Sequence, residues 1–283
     1  MAKTAWNKFP KPDKAFDYAG ATLKKAWPDL HRGDCEPFPD EAWVKKMIAA
    51  APKLDPKTPP AKAAEALQAA WRAYHAGDFA SAVAQGEALG PLGYNVANKA
   101  ANIYATYLET DDNRQLEIFQ QSAARAEKLQ AITKDLANAF YFHASALGRY
   151  GQGISVAKAL AAGLGGKIKA SLEKALALAP DHAEAHIALG AYHAEVIAKV
   201  GALVGGLTYG ASKDAAIKHF ETARKLMPES AIARIEHANG LVGLFGKSKL
   251  AAATKLYEEA AAAKPREAME YLDIESAKEE LAD

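Results

Sequence analysis

One helix signature recurs three times in the C-terminal half of the chain: LEKALALAP at 172–180, FETARKLMP at 220–228 and YEEAAAAKP at 257–265. Each copy has a bulky apolar residue, then Glu, an Ala three positions after the apolar residue and a Pro five positions after the Ala. A helix with this pattern has one apolar stripe and a fixed stop, because proline cannot continue the hydrogen-bond ladder. Repeated at intervals of tens of residues, it calls for supersecondary units that bury their apolar faces only by stacking. Such arrays usually work by binding, and no catalytic motif stands in the sequence.

Composition supports an all-α chain. Half of the 283 residues are hydrophobic, many of them Ala, which favours helix and lets helices approach closely. Period-two runs of β-branched residues are hard to find, so almost no strand is expected. A net charge of +1 and a pI near 7.8 imply neither nucleic acid nor an anionic membrane as partner. Cys35 is the only cysteine, which rules out an internal disulfide and fits a reducing compartment. The N-terminus, MAKTAWNKFPKPDK, lacks the apolar core of a signal peptide. No run reaches the ~18 apolar residues of a membrane span. The expectation is a soluble cytoplasmic protein.

Helical spacing of Ala15, Phe16, Ala19, Leu23 and Trp27 predicts a helix over 13–27 with Asp13 as N-cap, then a loop over 28–39. A short helix over 40–51 follows, capped by Asp40, and PKLDPKTPP at 52–60 reads as a stiff linker. Three domains are expected: a helical N-terminal extension and linker at 1–60, a repeat array at 61–265 and a charged capping helix at 266–283. Trp6, Trp27 and Trp43 all lie in the extension, which suggests that it docks on the array, capping an end or covering part of the groove. Within the array, helices are expected at about 59–76, 79–89, 94–109 and 112–131, with longer ones from about 134 onward.

The repeat positions resemble the tetratricopeptide repeat (TPR) family, whose unit is a 34-residue antiparallel helix pair. The second-helix pattern matches Ile168, Leu172, Ala175 and Pro180, then Ala216, Phe220, Ala223 and Pro228, then Ala253, Tyr257, Ala260 and Pro265. The Leu-Gly of the first helix appears as Leu147-Gly148 and Leu189-Gly190, and is degenerate near Gly240. The resemblance implies an α-α superhelix, a TPR-like solenoid of antiparallel pairs. It departs from the family in spacing. Pro180 and Pro228 lie 48 residues apart, and the excess falls in VIAKVGALVGGLTYGAS. A similar insert, GQGISVAKALAAGLGG, occupies 151–166. Extended helices there should form a glycine-kinked apolar projection.

Enzymatic readings fail on their residues. GLGGKI at 163–168 lacks both the first Gly and the Ser/Thr of a phosphate loop, and no G-x-S-x-G element is present. His182, His186 and His193 share a helical face, but Glu184 is misplaced for H-E-x-x-H. In the repeat register His186 and His193 take places where the family packs flat rings. Cys35 has acidic neighbours that raise a thiol pKa. No catalytic residue, metal or cofactor is therefore assigned.

The resemblance implies instead a non-catalytic scaffold that binds a protein or peptide in a concave groove lined by first helices. Register places Phe142, Ser145, Arg149 and Gln152 there in one unit. Glu184, Ile187, Ala191 and Glu195 follow in the next, and Arg234, His237 and Leu241 in the last. The family's carboxylate clamp positions hold Ser145, Arg149, Ile187 and Ala191, which argues against chaperone-tail binding. The alternative is a carrier or transport-accessory protein holding a small apolar ligand near the glycine-rich inserts, in line with a similarity to TRAP-transporter-associated TPR proteins. An exposed apolar insert would equally serve as a homodimer contact.

Overall fold

The structure, a computed structural model, describes residues 6–11 and 14–282, apart from the side chain of Ala15. Every regular element among the described residues is helical. The chain forms two compact units: one takes in the residues through His31, 36–153 and 267–269, the other 32–35, 154–266 and 270 onward.

In the first unit, α1 (Thr22–Leu30) and α2 (Glu41–Ala50) precede two helix pairs. These are α3 (Pro60–His75) with α4 (Phe79–Ala88), and α5 (Tyr94–Tyr107) with α6 (Asp112–Ile132); α7 (Ala137–Gln152) packs on α6. The bounds of α3 to α6 follow from their ends. Proline occupies the first position of α3, where its missing N–H is no loss. The Asp78 carboxylate accepts from the Ser81 N–H at the start of α4, and Asp111 accepts from the Arg114 N–H at the start of α6. Where α4 meets α5 the backbones touch, since a Cβ on Gly93 would lie 2.2 Å from the Gly86 carbonyl oxygen.

The N-terminal region departs from its periodicity. A single helix over 13–27 is not formed. A 3-10 turn at Lys14–Phe16 is separated from α1 by Gly20 at φ +55°, a conformation that ends a right-handed helix. α1 then continues through Pro28 to Leu30. Asp13, the expected cap, lies outside the described residues. Asp40 does cap α2, accepting from the Trp43 N–H at 3.0 Å. The stretch 52–60 is not simply a linker, because Pro52–Leu54 forms a 3-10 turn that buries Leu54. The extension packs closely on the helix pairs: the Trp27 ring meets Trp71 edge-on at 5.7 Å, and Trp6 lies 4.0 Å from Tyr104.

The second unit contains α8 (Val156–Ala161), α9 (Leu164–Leu178), α10 (Ala183–Val200), α11 (Ala202–Tyr209), α12 (Lys213–Leu226), α13 (Ala231–Phe245), α14 (Leu250–Ala261) and most of α15 (Ala268–Ala282). The helix pairs are α9 with α10, α10 with α12 and α13 with α14. Ser212 and Ser230 cap α12 and α13 through their hydroxyls. His182 caps α10, its Nδ1 accepting from the Ala185 N–H at 3.0 Å. Ile274 and Ala277 of α15 close the far end against Ala231, Ile235 and Ala260.

The repeated Ala positions do the work their size allows. Ala175, Ala216, Ala223 and Ala260 have no exposed surface. The aromatic position is the wedge. Phe220 is fully buried, and a Cβ on Gly190 would approach its ring to 2.8 Å, one on Gly240 to 2.4 Å. Both glycines of the first-helix register are thus the floor on which one ring lies, and His237 stacks on that ring at 5.2 Å. Adding a methyl group at either glycine overpacks a site with no room to yield. Gly240→Ala should lower stability by about 1–3 kcal/mol and Phe220→Ala by about 3–5 kcal/mol. Denaturant unfolding checks both, and an unchanged midpoint for Gly240→Ala would show that the ring has freedom this packing denies it.

Candidate partner-binding site

The first helices of successive pairs in the first unit share a face, and a segment of the chain lies on it. Residues 36–39, EPFP, have no regular structure, and their two prolines favour an extended course. The Glu36 carboxylate is buried and accepts from the Asn95 amide of α5 at 3.1 Å and the Asn138 amide of α7 at 2.6 Å. The Glu36 backbone carbonyl accepts from the Trp27 indole N–H at 2.7 Å. The Pro39 carbonyl accepts from the Gln68 amide of α3 at 3.0 Å. Three consecutive first helices thus hold one strap by side-chain donors, and the strongest of these bonds go to a charged acceptor.

Further polar groups lie along α5. Asn98, Lys99 and Asn102 are buried with Asn95. The Asn98 carbonyl accepts from Arg125 Nε at 2.9 Å, and Arg125 also pairs with Glu87 at 2.6 Å. The Asn98 side-chain nitrogen and both side-chain polar atoms of Asn102 have no hydrogen-bond partner. A helix that turns several amides to one buried face carries hydrogen-bonding capacity beyond its packing needs. The sequence reading missed this face. The spacing Asn95, Asn98, Asn102 on an otherwise Ala-rich helix was its available signal.

The residues placed in the groove by register lie as follows. In the first unit, Phe142 is buried, Ser145 is half-buried, and Arg149 donates to Gln152 at 3.2 Å near the surface. In the second unit, Ile187 packs with Ala223 and Ala233, and Leu241 packs with Ala238, Ala253 and Leu256. His237 lies under Phe220. Glu184 is buried, and its N–H donates to the Gly33 carbonyl at 3.0 Å. Ala191 borders the core around Phe220. Glu195 faces Lys199 at 3.5 Å, and Arg234 donates to Glu259 at 3.2 Å. Ser145, Arg149, Gln152, Glu195 and Arg234 keep accessible surface, whereas Phe142, Ile187, His237 and Leu241 are packing residues.

The histidines form a stack rather than a ligand set. His186 Nδ1 lies 2.8 Å from His219 Nδ1, and His186 Nε2 lies 3.1 Å from the Pro180 carbonyl. His193 stacks on His219 with rings 5.9 Å apart. The carbonyl contact assigns the His186 proton to Nε2, so His219 donates from Nδ1. Among the described residues no group of three or more His, Cys, Asp or Glu could hold a metal ion. Burial lowers the pKa of His186 and His193. His219 is pushed down to about 4, first by burial and then by His186, His193 and Lys218. The Cys35 thiol is pushed up to about 11 by desolvation and by Asp34, Asp181 and Glu184, the opposite of an activated nucleophile.

The histidine stack has a pH consequence. The folded pKa of His219 is lowered, so between about pH 6.5 and 4 the unfolded chain takes up protons that the fold resists. Its contribution is fully present above that window and is lost as pH falls through it. His219→Gln keeps a donor toward His186 and removes the titration. Unfolding midpoints at neutral pH and in the window should differ less for this variant than for the parent chain, and an equal difference would exclude His219 as a source of acid sensitivity.

No curated protein matches the chain. A solved structure of MamA protein aligns over 78% of this chain and 97% of its own at 15% identity, with a TM-score of 0.40, too remote to carry an argument. The resemblance to TRAP-transporter-associated repeat proteins finds no support in these comparisons. The model of the regulator of microtubule dynamics protein 1-3 family matches residues 91–281, a span that runs from the start of α5 through nearly all of α15, and the chain belongs to that family.

Proposed function

We propose that the chain is a non-catalytic, TPR-like binding scaffold. Its partner is a protein that offers an extended segment with an acidic side chain to the face formed by α3, α5 and α7. One observation carries this reading: that face grips the strap at 36–39 through Gln68, Asn95 and Asn138, with the Glu36 carboxylate at the centre. The strap is a ligand in cis, and a partner would compete with it for the same amides. The Asn98 amide nitrogen and the Asn102 side-chain amide are further hydrogen-bonding groups on the same helix. The family's description as regulators of microtubule dynamics suits a protein that acts by binding others.

The groove positions Ser145, Arg149 and Gln152 extend this face along α7, and Ala191, Glu195 and Arg234 are candidate contacts in the second unit. The carrier alternative gains nothing from the inserts, whose Leu203 and Leu207 face solvent rather than a cavity.

The test is a fluorescently labelled peptide copying residues 31–40, titrated by anisotropy. Glu36→Ala weakens the strap's hold, so this variant should bind the peptide at least about tenfold more tightly than the parent chain, one decade being about 1.4 kcal/mol. Adding Asn138→Ala should reverse most of the gain. Absence of binding to the Glu36→Ala chain, or binding indifferent to Asn138, would overturn the reading.

A further inference from the structure

The two glycine-rich inserts end in apolar side chains that nothing in their unit covers. Gly201 at φ +81° and Gly210 at φ +61° bracket α11, so the chain turns sharply on either side of it. Leu203 and Leu207 are 76% and 82% exposed. Val204 of α11 and Val156 and Leu160 of α8 are also exposed. The two inserts adjoin within the second unit. Tyr209, at the end of α11, lies where a Cβ on Gly165 would meet its ring at 3.2 Å, and its carbonyl accepts from Lys169 of α9 at 3.2 Å. α8 packs on the same α9.

Charge narrows the partner. Residues 151–172 and 196–213 contain Lys158, Lys167, Lys169, Lys199 and Lys213 and no Asp or Glu. Lys213 is committed to the Leu244 carbonyl and Lys169 to Tyr209. Lys158 and Lys167 are exposed beside the apolar tips. The near-neutral charge of the whole chain conceals this local asymmetry. A second copy meeting the same surface would set these lysines against their own kind, which is unfavourable for a symmetric contact. Leucines that stand proud of the surface on short, glycine-bounded helices suit insertion into a soft medium better than docking in a shaped groove. Lys169 and Lys199 are paired with Glu173 and Glu195 at the bases of the inserts, and apolar tips flanked by the exposed Lys158 and Lys167 match the interface of a bilayer containing anionic lipid.

We infer that the α8 and α11 inserts are a peripheral docking surface for anionic membranes, in which Leu203, Val204 and Leu207 enter the acyl boundary and Lys158 and Lys167 face lipid phosphates. No helix among the described residues is long and apolar enough to cross a membrane, so the contact is one of surface attachment.

The full chain should co-float with phosphatidylcholine vesicles containing about 30% phosphatidylserine at least about tenfold better than with pure phosphatidylcholine, and raised salt should weaken the binding. Leu203→Gln with Leu207→Gln should abolish flotation while circular dichroism stays helical. Lys158→Gln with Lys167→Gln, which leaves every packed residue in place, should weaken flotation without abolishing it. Failure to float with anionic vesicles overturns the proposal, as does flotation that survives the leucine changes. Concentration-dependent dimerisation without flotation, lost on changing both leucines, would assign the surface to a second copy instead.

Discussion

The stacking of the second unit depends on one buried ring. Phe220 of α12 lies where α10 and α13 offer glycine rather than a side chain. Helices approach so closely only if one supplies bulk and the others supply none. The alternation of Ala, aromatic and Gly positions along the sequence is the record of that requirement. Phe220 is thus shared between α10 of its own pair and α13 of the next, which draws the two first helices together. Helix-pair stacking therefore comes before any function, since it lines up a row of first helices whose remaining side chains are free to vary.

In the first unit that freedom is spent on amides. Asn95, Asn138 and Gln68 come from three different helices, yet all donate to a strap of four residues. A buried carboxylate needs such bonds in place, because an ionised group taken from water without them is costly. The strap consequently has a defined register on the face. A stapled cis-segment of this kind keeps the face beneath it dry and ordered.

Much of the architecture was legible in the sequence. The cap at Asp40, Pro180 and Pro228 after α9 and α12, and the periodicity of α3 to α6 marked helix ends to within a residue or two. The helix expected at 13–27 was not formed, because its apolar spacing continued across Gly20, whose left-handed backbone breaks the run. The site was less legible. Repeat register places residues on a helix but does not say which turn faces a neighbour. Ile187 and His237 therefore appear as packing residues. Glu36 and Asn138 lie 102 positions apart, and nothing local in either neighbourhood announces the other. His219 joined the histidine stack for the same reason: its partners come from a different helix.

The most direct test of this account is a double-mutant cycle between Glu36 and Asn138, read by denaturant unfolding of Glu36→Ala, Asn138→Ala and the double variant. A hydrogen bond to a buried carboxylate should give a coupling of about 1.5–3 kcal/mol, larger than two independent sites would show. A coupling near zero would mean that the strap is not held by the amides of the first helices, and the binding face proposed here would lose its physical basis.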